Sequence, residues 1–319
     1  MVNWLAGLDG RRVTVEVPAT SANLGAGYDC LGLALELVDR VELEVRGWAP
    51  GAVELRVDGE GAGELPAGRE NRFVAALERI LERERGPLPE GLGWGVRMAN
   101  AIPLARGLGS SAAGTVGGLL AGNALLDEPL PAADLLALAI ELEGHPDNVA
   151  AALLGGFVIV DAASEPPVAV RCDVPRDLRA VLFVPELRLE TRAMREVLPA
   201  RVPLADAVAN LGRVARGVAA LVRGDSDGLR ALTVDRLHEP YRAKVYPLLP
   251  VLVAAAREAG AIGACLSGAG SSVIAFSDSV AAITRIEGAL LAAAAEADFA
   301  GKVRVVTPRN AGASVVPPA

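Results

Sequence analysis

Residues 103–113 read PLARGLGSSAA, with the run AAGTVGGLLAGNALL over 112–126 completing the segment. Glycines at 107 and 109 let backbone approach a ligand and reach positive φ, and two hydroxyls follow at Ser110 and Ser111. The apolar run predicts a helix beginning near Ser111. Its first turn would present unpaired N–H groups and the positive end of a dipole, which is a natural phosphate seat. No Gly-Lys-Ser/Thr occurs, so this is not a Walker A loop. Taken alone, the stretch reads equally well as a flexible turn with a serine cap. Two further glycine-rich stretches stand elsewhere: PATSANLGAGYDCLG over 18–32, with Asn23 and Asp29 among small residues, and LSGAGSSVIAF over 266–276. The first lies as a loop between the strand-like runs 12–17 and 31–45, and the second leads into a strand.

The rest of the chain bounds what such loops can serve. With 319 residues, 52% of them hydrophobic, there is material for about two domains with their own cores. Against 39 acidic residues stand 31 basic ones, a net charge of −8, which leaves no cationic surplus for a nucleic-acid backbone. The apolar runs 251–256 and 288–295 fall short of the roughly 20 residues of a membrane span. The opening MVNWLAGLDGRR has no apolar segment behind a basic start, and Cys30, Cys172 and Cys265 are isolated, so a reducing cytoplasm is expected. Residues 71–85 predict a helix with Phe73, Leu77, Ile80 and Leu81 on one face, and Pro131 opens another with Leu135, Leu138, Ala139 and Leu142 in step. Helices are further expected over 204–223 and 248–259, and strands over 155–160, 180–184, 272–276 and 302–306. Elements mix without a βαβ rhythm, which points to α+β. Adjacent prolines at 166 and 167 suggest a boundary, with domains 1–163 and 164–319.

PATSANLGAGYD, PLARGLGSSAA and LSGAGSSVIAF together resemble the three motifs of the GHMP small-molecule kinases, in the expected order. EGHPDNVAAALLGGF (143–157), TRAMREVLP (191–199) and HEPYR (238–242) narrow the resemblance to the homoserine kinases. Ser271 departs from the proline common in the third motif. The resemblance implies a two-domain fold, with an N-terminal domain of the ribosomal protein S5 domain 2 type and a C-terminal ferredoxin-like α/β sandwich. The implied reaction is ATP-dependent phosphorylation of the side-chain hydroxyl of L-homoserine to O-phospho-L-homoserine, on the route to threonine, with Mg²⁺ as the metal and a homodimer as the assembly. No nucleic-acid or membrane partner is expected.

Residue by residue, the resemblance places the nucleotide on Asn71 and on Pro103, Leu104, Ala105, Arg106, Gly107, Leu108, Gly109, Ser110, Ser111, Ala112 and Ala113. Ser267, Gly268, Ala269 and Gly270 form the third glycine wall. Homoserine falls to Asn23, Asp29, His145, Asp147, Asn148, Thr191, Arg195 and Arg242. Arginine forks suit the carboxylate, and Asp29 is the natural counter-ion of the ammonium. Mg²⁺ is assigned to Ser111 and to Glu141, with Glu143 as the competing glutamate, and Asn23, Ser111, Glu141 and Arg195 carry the catalytic role. Asn71 reads equally as a helix cap, and the HPDN run as a turn. No general base presents itself, so positioning and electrostatics would carry the rate. Two other readings remain open, a GHMP-fold kinase of another small alcohol and an inactive nucleotide or amino-acid sensor.

Overall fold

A computed structural model describes residues 7–46, 52–89 and 91–317. The alternating run after Arg11 forms β1 (Arg12–Ala22), antiparallel to β2 (Leu31–Arg46). β1 outlasts its alternation. PATSA, expected in the loop, stays in the sheet beyond a register shift between Pro18 and Ala19. Proline has no N–H for the ladder, and the irregularity there lets pairing resume on both sides. β1 occupies one edge of β2 throughout. The other edge is shared by β4 (Gly93–Asn100) over 40–46 and β5 (Phe157–Asp161) over 31–33. β3 (Val53–Gly59) runs parallel to β4, β6 (Val168–Cys172) pairs with β5, and β11 (Ser314–Val316) pairs with β1. The boundary expected at 163/164 therefore falls inside the β5–β6 hairpin, and the first sheet draws on residues from both sides of it.

Four helices accompany this sheet: α1 (Arg72–Arg85), α2 (Ser110–Asn123), α3 (Ala132–Glu143) and α4 (Asp147–Leu154). Phe73, Leu77, Ile80 and Leu81 of α1 are all buried, as their spacing predicts. α2 packs against α1 almost backbone to backbone. A Cβ added at Gly118 would lie 2.1 Å from the Phe73 carbonyl oxygen, so any side chain there would push the helices apart.

The second sheet is antiparallel and contains β7 (Arg179–Pro185), β8 (Gly263–Leu266), β9 (Val273–Ser277) and β10 (Gly301–Val306). Its order, β10-β7-β9-β8, puts the first and third strands in the middle, the ferredoxin-like arrangement. Period-two alternation divides its side chains between two cores. Ala180 and Leu182 join the core shared with the first sheet, while Val181 and Phe183 face α9 (Leu248–Glu258) and α10 (Val280–Glu296). Between β7 and α9 run α5 (Thr191–Glu196), α6 (Leu204–Val222), α7 (Gly228–Leu232) and α8 (Glu239–Arg242). The architecture is α+β in two parts. No helix among the described residues is long and apolar enough to cross a membrane.

Candidate active site

A cavity of about 1050 Å³ opens where the two parts meet. Its wall begins at the loop between β4 and α2. Gly109 caps α2 in the left-handed region at φ 74°, with no side chain bonded to the helix end and no acid in the first turn. A Cβ at Gly109 would fall 2.0 Å from Thr20 Oγ1, so the loop lies flat on β1, where the Thr20 N–H also bonds the Leu108 carbonyl at 3.0 Å. The first-turn N–H groups thus start a helix of 14 residues at the cavity wall. Leu104 through Ser111 and Ala113 line the cavity, whereas Pro103 and Ala112 are buried away from it. Arg106 lines it too, yet its guanidinium is spent on the carbonyls of Leu104, Pro185 and Glu186.

Helix geometry sets the two glutamates apart. Glu141 points outward from α3, 59% exposed and paired with Arg79 at 2.9 Å, and it does not line the cavity. Glu143, two residues on, faces inward with 3% of its side chain exposed. It accepts hydrogen bonds from Ser111 Oγ and, at 3.0 Å, from Thr115 Oγ1, and Arg72 stands 3.4 Å away. The expected pairing of Ser111 with Glu141 is therefore corrected to Ser111 with Glu143. A step of two residues turns a helical side chain by about 200°, which is why one glutamate is in and the other out.

HPDN is more than a turn, because α4 starts at Asp147. His145, Asp147 and Asn148 all line the cavity. Asp147 is 2% exposed, and burial, followed by the nearby Asp29, pushes its carboxyl up to about 7. Burial lowers the His145 imidazole, which lies 3.7 Å from Asp147 and 3.9 Å from Glu143. Asn148 accepts from Thr20 Oγ1 at 2.9 Å, tying this helix start to β1.

The remaining wall is built around two arginines. Arg195 from α5 grips Asp29 with both nitrogens, at 2.6 and 2.9 Å, and donates to the Tyr28 hydroxyl at 2.9 Å. Thr191 lines the cavity one turn earlier on α5. Arg242 is 1% exposed, and its Nε and Nη1 donate to neutral acceptors: the carbonyls of Met194 and Gly268 and Nδ1 of His238. Asn23, in the left-handed region at φ 66°, accepts from the Asp29 N–H and donates to the Gly268 carbonyl. Gly268 and Ala269 line the cavity. Ser267 and Gly270 do not, and Ser267 instead joins Ser21 to the Gly107 carbonyl. Asn71 borders the cavity as the cap of α1, with Oδ1 accepting from the Phe73 N–H and Nδ2 donating to the Pro66 carbonyl, each at 3.0 Å.

Residues 71–156 match the GHMP kinases N terminal domain, and residues 218–296 match the GHMP kinases C terminal domain. A homoserine kinase of Moorella thermoacetica is 44% identical over 303 residues, covering 95% of this chain and 99% of the relative. The chain belongs to the homoserine kinase family. A second family member, from Carboxydothermus hydrogenoformans, is 42% identical over 86% of this chain and 88% of its own. The crystal structure of homoserine kinase from Cytophaga hutchinsonii is 34% identical with a TM-score of 0.84, covering 96% of this chain and 97% of that one. A mevalonate kinase from L. major, solved with R-mevalonate, is 19% identical with a TM-score of 0.67 over 92% and 94%, and so shares the fold.

Within this homoserine kinase family member, several residues at the site escape sequence reading. Thr115 stands four residues after Ser111, one helical turn along the same face, and that spacing was a usable signal. Tyr28 adjoins Asp29 in the loop, and its ring lies 5.5 and 5.6 Å from the Arg195 and Arg242 guanidinium carbons. Nothing in its neighbourhood distinguishes it from a packing tyrosine. Arg72 follows the α1 cap and reads as an ordinary charged helix residue.

Proposed function

We propose that this chain transfers the γ-phosphoryl group of ATP to the side-chain hydroxyl of L-homoserine, giving O-phospho-L-homoserine and ADP. The observation that carries this reading is Arg242: a buried guanidinium with no carboxylate partner among the described residues, in the same cavity as a helix start that no side chain caps. Burying an unneutralised charge costs several kcal/mol in general, and a substrate carboxylate would offset that cost. Arg195 and Asp29 deepen the match. They neutralise each other, and a zwitterion can take both places, its ammonium on Asp29 and its carboxylate on Arg195. Asn23, His145, Asn148 and Thr191 complete the acceptor wall in this reading.

The hydroxyl oxygen attacks phosphorus, its bond to the γ-phosphoryl group forms as the bond from the β-bridging oxygen breaks, ADP departs, and the hydroxyl proton is released. The N–H groups that begin α2 face the charge that develops on the transferred group. For Mg²⁺ the donor set fits. Ser111 and Glu143 offer hard oxygens at the phosphate loop, and Thr115 and Arg72 hold the glutamate in place. When bound there, Mg²⁺ would neutralise charge on the β- and γ-phosphates. Among the described residues no side chain is placed as general base. Burial raises the Asp147 carboxyl to about 7, and one of its oxygens accepts from the Asn148 N–H at 2.8 Å. A cytoplasmic homodimer is the accompanying inference, supported by the family resemblance and by three free cysteines.

Phosphorus NMR of a reaction containing the chain, ATP, Mg²⁺ and either L-homoserine or 3-aminopropan-1-ol tests the proposal. A phosphate monoester should form with homoserine and far more slowly with the decarboxylated analogue. No ester from either compound would mean a sensor, and preference for the analogue would mean a kinase of another alcohol.

A further inference from the structure

Among the described residues one side chain hydrogen-bonds Arg242, and the chemistry of that contact has a single solution. Its Nη1 lies 3.0 Å from Nδ1 of His238, and arginine has no acceptor, so the guanidinium donates and Nδ1 carries no proton. The imidazole proton must then sit on Nε2, which is 2.8 Å from the Gly25 carbonyl oxygen. One neutral tautomer satisfies both contacts. An imidazolium would point an N–H at a guanidinium.

We propose that His238 is a positioning residue for the phosphoryl acceptor: its Nδ1 lone pair aims Arg242 at the substrate carboxylate, and its Nε2–H ties that arginine to the loop carrying Asn23, Tyr28 and Asp29. This rests on the reading of Arg242 as a carboxylate ligand. The surroundings enforce the neutral form. His238 is 0% exposed, and burial is the largest influence on it, bringing its imidazole down to about 4. From the segment before α8, Asp235 approaches Nε2 only to 3.8 Å. Its oxygens are taken by Asn210 Nδ2 at 2.6 Å and by the N–H groups of Leu237, His238 and Glu239 at 2.9, 2.7 and 2.7 Å. From the first loop, the Tyr28 ring stands 5.3 Å away, and Asp29 acts at longer range. From its own helix the facing charge is Arg242. The other partners of Arg242 are carbonyls, those of Met194 on α5 and of Gly268 in the third glycine loop. His238 is thus the link in this junction that substitution can change.

Asparagine sets an acceptor near the place of Nδ1, while glutamine reaches the place of Nε2 and restores only the tie to Gly25. Steady-state kinetics of H238N and H238Q, alone and combined with R242A, provide the test, with homoserine and 3-aminopropan-1-ol as acceptors. H238Q should raise the homoserine KM about tenfold, the scale of losing a hydrogen bond to a charged group, with kcat and the ATP KM within about threefold of wild type. H238N should keep the homoserine KM within about threefold. In the R242A background H238Q should change homoserine kcat/KM less than about twofold, because the contact it deletes is already gone. Equal losses in H238N and H238Q, an undiminished H238Q effect in R242A, or an unchanged KM in H238Q would overturn the proposal. R242A alone separates the two levels. If it weakens both acceptors equally, the carboxylate reading fails. If it discriminates between them and H238Q does nothing, only the role of His238 fails. A readout on the wild-type chain does not depend on variants folding, since the sequence holds two histidines. Nitrogen-15 shifts of the imidazoles at pH 7 should show one neutral ring protonated on Nε2, whose Nδ1 signal moves on adding homoserine. A ring protonated on Nδ1, or charged, at that position would contradict the assignment.

Discussion

Glu143 is gripped by Ser111 and Thr115 at the first turns of α2, while Glu141 is spent on a surface pair with Arg79. One residue lies between the two glutamates and they point nearly half a turn apart, so one faces the cavity and the other the surface. Glu143→Gln should lower kcat at least a hundredfold while homoserine affinity by calorimetry changes little, and Glu141→Gln should stay within about twofold of wild type. A reversed pattern would put the metal elsewhere. The choice was legible only as a pair of candidates, because a helix's rotation relative to a cavity is decided by what it packs against. Asn71 shows the same limit from the other side. A cap and a nucleotide contact draw on one amide, and here both of its ends are spent within the protein. Asn71→Ala should therefore cost about 1 kcal/mol of stability, read by urea unfolding, with Asn71→Asp retaining most of it because the cap acceptor survives.

At the scale of elements, the glycine loop works because backbone lies on backbone. Gly109→Val would drive a β-branched side chain into Thr20 and demand φ near 74° from it. ATP binding by calorimetry should be lost while circular dichroism stays native, and unaltered ATP affinity in a folded variant would remove this loop from the nucleotide site. Strongly patterned elements were readable: α1 from its apolar face, α6 and α9 from their length, and β7, β9 and β10 from short apolar runs. PATSA was not, since proline and small residues signal a loop, yet pairing with 32–35 holds it extended. α4 was equally obscured, because HPDN is both turn chemistry and a sound helix start. β6 follows the prolines at 166 and 167, which suggest a boundary, and β11 carries no pattern the sequence reading picked out. They are edge strands recruited by the partners beside them, β5 and β1, and such partners are invisible to local pattern.

Across the whole molecule, the site exists only because 245 residues of chain separate two loops that touch, with Asn23 donating to Gly268. The motifs could be found singly in the sequence, whereas the meeting of Arg242 with the first loop required the fold. That convergence leaves a buried carboxyl, Asp147, whose folded value of about 7 lies above the usual carboxylate range. The folded state therefore holds a proton that the unfolded chain has already lost, and stability falls as pH rises from about 4 through 7. Between pH 5.5 and 8.5 the melting temperature of wild type should drop more than that of Asp147→Asn, by a few degrees, and parallel curves would contradict this. One cavity joins the glycine loop before α2 to the guanidinium groups of Arg195 and Arg242. The most direct measurement compares kcat/KM for L-homoserine and for 3-aminopropan-1-ol in wild type, Arg195→Ala and Arg242→Ala. Each substitution should cost homoserine roughly ten- to a hundredfold, as expected for a charge-assisted contact of about 1.5 to 3 kcal/mol, while the analogue, already poor, loses less than about threefold. Equal losses for both compounds would mean that the arginines hold the fold or the phosphates, and the carboxylate assignment would fall.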